Sequence, residues 1–194
     1  KVIDICETGD TVIVANGVYV EKIIIDRFVY LIGSSQDSCI IDGSNEPSEE
    51  VVSFTSDGTI ENFTIKARGQ NQPTDCVLTF FTNVFMKNCK LQNGRNALLL
   101  LQSSSIIENC LLLFSSRSIN TACPTDTCFG IYRNNVIFTK NSSDNTIYHF
   151  LGGSSITTSN LVLSDGSSQF GVSFESQNRV VFSNNLVSGF QNTN

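Results

Sequence analysis

The stretch Asn62-Phe63-Thr64-Ile65 decides the fold, because its form returns along the chain: an Asn, an apolar residue, any residue and a second apolar residue. The Asn residues that begin successive copies are 21 to 26 residues apart. A near-constant period in this range is typical of stacked-repeat proteins, in which one repeat cannot bury its own apolar face. The six Asn residues are Asn62, Asn88, Asn109, Asn135, Asn160 and Asn185.

Composition excludes several classes of protein. The 194 residues are 40% hydrophobic and 15% charged, which excludes a disordered chain. The formal net charge of −6 argues against a nucleic-acid partner, which needs clustered Lys and Arg. Apolar runs are far shorter than the roughly 18 residues that a membrane-spanning helix needs, so no membrane span is expected.

The repeats predict one domain covering residues 1–194. The sequence begins with Lys1 rather than Met and enters within an element, so we expect it to be part of a longer chain. Apolar residues at positions 2, 3 and 6 followed by Gly9 predict the end of a helix, so that residues 1–10 form an N-terminal cap. Regular repeats are predicted over residues 51–194.

Each repeat contains three short strands: a first strand, a second strand that ends at the Asn, and a third strand that carries the apolar residues. Residues 115–127 fit poorly, and we expect an excursion there. Hairpin signals between the strands are missing, which argues against a sandwich. The sequence therefore predicts an all-β fold: a right-handed parallel β-helix, a three-sheet solenoid of about seven or eight turns with a short N-terminal capping helix.

The recurrent Asn has a structural role in this fold. At the corner between second and third strands it can adopt left-handed backbone geometry. Its side-chain amide can also bond to the Asn residues of the turns above and below, which predicts a ladder along the stack.

Several segments resemble the pectin-lyase-like β-helix superfamily, in particular the N-terminal part of pectin methylesterases. The segments are Gly9-Asp10-Thr11-Val12-Ile13-Val14, Gly17-Val18-Tyr19-Val20-Glu21, Leu31-Ile32-Gly33, Ile40-Ile41-Asp42-Gly43 and Ile107-Glu108-Asn109-Cys110. The later methylesterase motifs have no counterpart, and the chain contains no Trp. The resemblance therefore implies the fold and does not carry over an esterase activity.

In that superfamily the polysaccharide lies across the outside of the first-strand sheet. Alternation along the first strands predicts that Ser53, Thr79, His149 and Ser173 point outward and contact a ligand. Glu175 also points outward, and His149 with Glu175 is the candidate catalytic pair, His149 acting as general base. The alternative is that His149 is a surface residue without a catalytic role. Glycoside hydrolysis needs two carboxyl groups, and this face offers one Glu.

Cysteine and Asn chemistry adds local predictions. The hexapeptide Cys123-Pro-Thr-Asp-Thr-Cys128 predicts either a small disulfide-closed loop or two free thiols. Asn141 is a candidate glycosylation site if the protein is secreted by a eukaryote. The spacing of Cys, His and acidic residues predicts no metal site and no cofactor, and calcium is expected only if the chain is a polysaccharide lyase.

The middle residue of the third-strand triplet is predicted to face outward. In the last four repeats it is aliphatic, so an exposed apolar stripe is expected. Its cover is either another segment of the protein, or a partner or second copy in an assembly. The four residues are Leu111, Ile137, Val162 and Val187.

Two functions agree with these features. The first is a non-catalytic module, secreted or on the cell surface, for carbohydrate binding, adhesion or structural assembly. The alternative is a polysaccharide lyase, hydrolase or esterase whose active residues lie partly outside this sequence. A polysaccharide or glycan is the expected partner, with self-association or another protein segment along the third-strand sheet.

Overall fold

The computed structural model describes residues 3–45, 50–69, 72–124, 127–139, 146–166, 170–175 and 179–190. In these residues, 23 β-strands form three sheets of eight, eight and seven strands. Every strand pairs in parallel with strands three places away in the chain, so each sheet receives one strand from each turn of the coil. The prediction of an all-β, parallel three-sheet β-helix is confirmed.

The sheets correspond to the three strands of the sequence repeat. The first-strand sheet contains β3 (Ile23–Ile25), β6 (Glu50–Phe54), β9 (Asp75–Phe80), β12 (Asn96–Leu101), β15 (Arg117–Ala122), β18 (Thr146–Leu151) and β21 (Phe170–Glu175). The second-strand sheet contains β1 (Thr11–Val14), β4 (Tyr30–Gly33), β7 (Gly58–Glu61), β10 (Asn83–Lys87), β13 (Ser104–Glu108), β16 (Phe129–Arg133), β19 (Ser154–Thr158) and β22 (Arg179–Ser183). The third-strand sheet contains β2 (Gly17–Tyr19), β5 (Cys39–Asp42), β8 (Thr64–Lys66), β11 (Lys90–Gln92), β14 (Leu111–Leu113), β17 (Val136–Thr139), β20 (Leu161–Ser164) and β23 (Leu186–Ser188).

The core lies inside the coil, where alternate residues of all three sheets meet. Phe54, Ile60, Met86 and Leu98 are among the large side chains that are fully buried there. Each such side chain contributes about 1.5–3 kcal/mol by leaving water, so the stacked turns supply most of the stabilisation.

The N-terminal capping helix is not confirmed. A single 3₁₀ turn spans Ile3–Ile5, and the Cys6 amide donates to the Ile3 carbonyl at 3.2 Å. The Asp10 carboxylate then accepts from the Glu7 amide at 2.8 Å, which gives the backbone a turn in place of a helix. Gly9 follows the turn with a φ of 94°.

The expected excursion at residues 115–127 is wrong at residues 117–122, because β15 joins the first-strand sheet there. The composition of β15 does not indicate a strand. Ile119 is a buried apolar residue, but the neighbouring Ser118 is buried although it is polar. Cys123 follows the strand, and a disulfide bond joins it to Cys128 with an S–S distance of 1.97 Å.

The six recurrent Asn residues fall into two different columns. Asn62, Asn88 and Asn109 occupy the corner with φ values of 62°, 51° and 55°, as the sequence predicts. In the later repeats the left-handed corner residue is instead the one before the predicted Asn. These corner residues are Asn134, Ser159 and Asn184.

Asn135, Asn160 and Asn185 therefore lie one position further along and point into the coil, where they form a ladder. Asn135 Nδ2 donates to Asn160 Oδ1 at 3.0 Å, and Asn160 Nδ2 donates to Asn185 Oδ1 at 2.9 Å. Each side-chain oxygen also accepts from the backbone amide of the turn before it. In the earlier turns, Asn88 Nδ2 donates to Asn62 Oδ1 at 3.3 Å.

Above the ladder, the same inward column contains thiols. Cys89 and Cys110 are buried and do not form disulfides. Burial, together with contact with Cys110, raises the pKa of the Cys89 thiol well above its ordinary value. These cysteines therefore behave as small core hydrophobes.

The one-residue shift corrects the predicted apolar stripe. Ile137 and Val162 point into the core, with exposed fractions of 0% and 1%, and Val187 is paired in the same column. Only Leu111 keeps its outward position. In the last four turns the outward column of the third-strand sheet is aliphatic, and we call these residues the third-strand apolar surface: Leu111, Val136, Leu161 and Leu186.

The outer face of the second-strand sheet has a column of alternating charge. Glu61, Lys87, Glu108 and Arg133 lie opposite one another on consecutive strands. Glu108 binds both of its neighbours, with Lys87 Nζ at 3.8 Å and Arg133 Nη2 at 2.6 Å.

Candidate functional site

The predicted ligand-binding residues do not form one exposed row. Ser53 and Ser173 lie in the same column of the first-strand sheet, but Ser53 is buried and Ser173 is half-buried. The prediction that Thr79 points outward is wrong. Thr79 pairs with Phe54 in the core, and its hydroxyl has no hydrogen-bond partner among the described residues. Thr79 falls inward because β9 begins at Asp75 and its alternation brings Val77 and Thr79 to the same face.

The candidate catalytic pair is only partly described. The backbone of His149 pairs with Ser173 in the next strand, and its side chain lies outside the described residues. Glu175 is exposed, and the Ser173 hydroxyl donates to its Oε1 at 3.4 Å. Asn141, the predicted glycosylation site, also lies outside the described residues.

The outward residues at the centre of the first-strand sheet are mainly apolar. Leu78 lies beside Leu99, and Phe80 lies beside Leu101. Phe80 and the corner residue Phe81 are 49% and 62% exposed, and their rings meet edge to face with centroids 4.4 Å apart. We call Leu78, Phe80, Phe81, Leu99 and Leu101 the first-strand apolar face.

A polar cluster lies at the beginning of the same strands. Asp75 Oδ1 accepts from the Asn96 amide and side chain, both at 2.9 Å, and Arg95 binds the carboxylate through Nε and Nη2 at 3.3 and 3.2 Å. The side chain of Asp75 is 4% exposed and that of Arg95 is 46% exposed. A buried carboxylate is therefore held in place by an arginine that water reaches.

The cluster continues on the neighbouring strands. Glu50 pairs with Asp75 in the sheet register and forms an ion pair with Lys22, and Arg117 pairs with Asn96. Glu50 and Asp75 therefore stand opposite each other on adjacent strands, whose backbones are about 4.8 Å apart. Burial raises the pKa of the neighbouring Cys76 thiol to about 12, so this cysteine is not a nucleophile.

The sequence contains a signal for this cluster. In four consecutive repeats a polar or charged residue stands two positions before one of the inward apolar residues that pair across the sheet, which are Val52, Val77, Leu98 and Ile119. The polar or charged residues are Glu50, Asp75, Asn96 and Arg117. Each of these residues directly follows a loop. Because charged residues are common in loops, the sequence alone does not distinguish them from loop residues.

No group of three His, Cys, Asp or Glu residues that could hold a metal ion occurs in the described part of the chain. Nor does any helix there have the length and apolar character to cross a membrane.

The fold is similar to solved pectin methylesterases. Pectin methylesterase PemA of Erwinia chrysanthemi superposes with a TM-score of 0.58 at 12% identity, over 84% of this chain and 60% of that one. The carrot enzyme gives 0.59 at 9% identity, over 96% and 78%. A pectin methylesterase in complex with a hexasaccharide gives 0.54 at 13%, over 90% and 61%.

This chain therefore has the parallel β-helix fold of these solved enzymes, and it spans less than two thirds of the Erwinia enzyme. At this identity the likeness concerns the fold alone. The sequence matches no protein-family model and no curated protein.

Proposed function

We propose that this chain is a non-catalytic β-helix module that binds a polysaccharide across the first-strand sheet. The observation that carries the proposal is the first-strand apolar face, where exposed Phe80 and Phe81 stand beside aliphatic residues. Ligand sites are mostly apolar with a few polar groups that fix orientation, and Ser173 and Glu175 are such groups further along the sheet. The hexasaccharide complex of a similar fold supports a saccharide as the ligand class.

The nearby acidic groups favour binding over catalysis. Asp75 is buried and accepts hydrogen bonds from Arg95 and Asn96, while Glu50 forms an ion pair with Lys22. A nucleophile or general base must be reachable by substrate, and a carboxylate in this arrangement has a structural task.

A glycan array with the intact chain tests binding, together with a turnover assay on acidic and methyl-esterified polysaccharides. We expect binding without turnover, and we expect Phe80→Ala to weaken the binding at least tenfold. Phe114→Ala is the matched control. Phe114 is also an exposed phenylalanine, but it directly follows β14 of the third-strand sheet. An array without any bound glycan would contradict the proposal, as would equal binding by Phe80→Ala.

A second candidate is an ester-cleaving enzyme, favoured by Asp75, Glu50 and Arg95 in one cluster. Under this candidate, methyl-esterified pectin releases methanol, and Asp75→Asn abolishes the release while the fold is retained. Release that persists in Asp75→Asn but is lost in His149→Ala and Glu175→Gln would instead assign the activity to the predicted pair.

A third candidate is structural assembly through the third-strand apolar surface. Leu186 and Val136 are exposed in this column, which is unusual for a solvated sheet face. Val136→Glu would convert an assembly to monomers in analytical ultracentrifugation, and a wild-type chain that is monomeric at high concentration would exclude this candidate.

Under the carbohydrate-binding proposal, the protein acts outside the cell or at its surface.

A further inference from the structure

We propose that a second groove, on the outer face of the second-strand sheet, binds a neutral oligosaccharide along the axis of the coil. The groove has a volume of about 300 Å³ and is lined by residues of consecutive turns. The proposal rests on the proposed carbohydrate-binding function and adds a separate surface. The residues that carry the argument are Phe28, Asp57, Asn83, Phe85, Ser104 and Phe129.

One wall of the groove is a row of hydrogen-bonding side chains. Asn83 pairs with Ser104 in the sheet, and Asp57 stands at the same place one turn earlier. Asp57 Oδ1 accepts from the Asn83 amide at 2.7 Å, and Oδ2 accepts from Asn83 Nδ2 at 3.0 Å. Each carboxylate oxygen keeps a second lone pair that can accept from a sugar hydroxyl.

Ser104 completes this row. Its Oγ accepts from the Phe129 amide at 3.1 Å, which fixes the oxygen and leaves the hydroxyl hydrogen to donate. Acceptors and a donor thus recur at about 4.8 Å intervals along the axis, one from each turn. A chain of linked polyols fits such a row, because it presents hydroxyl groups repeatedly along one direction.

The floor and the ends of the groove are apolar. Phe85, Ile106 and Ile131 lie opposite one another on β10, β13 and β16 and form the floor. Phe28 and Phe129 stand at the two ends, and Phe129 is 42% exposed. Four strand spacings separate these rings, or about 19 Å, so the groove has room for several sugar units.

Charge selects a neutral ligand. Asp57 is the carboxylate of the groove, and the chain has a net charge of −6, so an acidic saccharide would meet repulsion. On the same sheet face, Lys87 and Arg133 are engaged with Glu108 and do not offset Asp57.

The test is calorimetric titration of the intact chain with four neutral tetrasaccharides: cellotetraose, xylotetraose, mannotetraose and galactotetraose. Trigalacturonate is the acidic comparison. We expect at least one neutral tetrasaccharide to bind, and we expect Phe129→Ala and Asp57→Ala each to weaken it at least tenfold. The control Phe114→Ala leaves the affinity unchanged, and Asp57, Asn83 and Phe129 are exposed, so these variants are expected to fold.

Three results would overturn the proposal. One is the absence of binding to all four neutral tetrasaccharides. Another is tighter binding of trigalacturonate in this groove, located by amide chemical shifts at Asn83 and Phe129. The third is binding that Phe80→Ala abolishes and Phe129→Ala leaves intact, in which case the first-strand apolar face is the site and the proposed function stands. Loss of binding in Phe129→Ala with retention in Phe80→Ala supports the groove.

Discussion

Adjacent asparagines in this protein have different structural tasks. Asn134 adopts a φ of 57° at the corner, whereas Asn135 is buried and bonds to the turns on both sides. A left-handed corner tolerates Asn because its polar side chain is short, and it tolerates Gly because no Cβ is present.

We expect Asn135→Ala to lower the free energy of unfolding by about 2–4 kcal/mol, since the buried Cys110 amide loses its acceptor and the Ile107 carbonyl and Asn160 Oδ1 each lose the Asn135 Nδ2 donor. The control Asn134→Gly should change it by less than about 1 kcal/mol. Urea denaturation of both variants measures the difference. A larger loss in Asn134→Gly would mean that the assignment of the two residues is reversed.

Tyr132 gives a prediction in alkaline solution. Burial raises the pKa of its phenol to about 12, against an ordinary value of 10.0, and Ser105 donates to it at 3.1 Å. The folded state keeps a proton that the unfolded state releases, so the stability is fully present below pH 10 and is lost as the pH rises through 12.

Denaturation at pH 9, 10 and 11 should show the wild type losing about 1 kcal/mol more than Tyr132→Phe between pH 10 and 11. The Phe variant keeps the ring in the core and has no proton to lose. Parallel stability curves for the two proteins would contradict the burial of an ionisable phenol at this position.

Single residues also explain where sequence analysis failed. Two Asn candidates stand side by side at 134–135, and choosing the second as the corner shifted the later strands by one position. Because strand side chains alternate, this shift exchanges the inward and outward faces, and Ile137 and Val162 moved from the predicted surface to the core. Alignment on the charged column of Glu61, Lys87, Glu108 and Arg133 would have given the correct register.

At the scale of elements, the turn after β18 is tightly packed. Gly152 has a φ of 74°, and an added Cβ would lie 1.8 Å from the Cys123 carbonyl oxygen. Gly166 has a φ of 90°, but its nearest neighbour would be 4.0 Å away. Both glycines have a left-handed backbone, but only Gly166 has room for an added Cβ.

Gly152→Ala should therefore cost about 3–5 kcal/mol of unfolding free energy, because the backbone of the preceding turn at Cys123 must move. Gly166→Ala should cost about 1–2 kcal/mol, the ordinary penalty of a left-handed alanine. Thermal denaturation of both variants compares them. Equal losses would show that space at the turn is not limiting.

The strands of regular repeats could be predicted because apolar residues mark their inward positions. The strand at 117–122 could not, because Ser118 is buried there despite being polar. The polar cluster was missed for a similar reason: Asp75 directly follows a loop, and only its hydrogen bonds with Arg95 and Asn96 distinguish it from a loop residue.

At the scale of the whole molecule, each turn contacts mainly its neighbours, so stability is expected to vary along the axis. The strands β22 and β23 are exposed at every residue, whereas β9 to β14 are largely buried. Amides of β22 and β23 should exchange with deuterium about 100-fold faster than those of Val77 and Leu98. Equal exchange rates in all strands would indicate that the coil unfolds as one cooperative unit. That result would contradict a stability that differs from turn to turn.

The charged column on the second-strand sheet constrains how such a protein can change in length. Acidic and basic residues alternate from Glu61 to Arg133, and Glu108 holds both neighbours. Duplicating one turn would put two side chains of the same sign against each other, whereas duplicating two would preserve the alternation. Insertion or deletion of an even number of turns in this region therefore keeps opposite charges in contact. An odd number of turns brings like charges together and is destabilising.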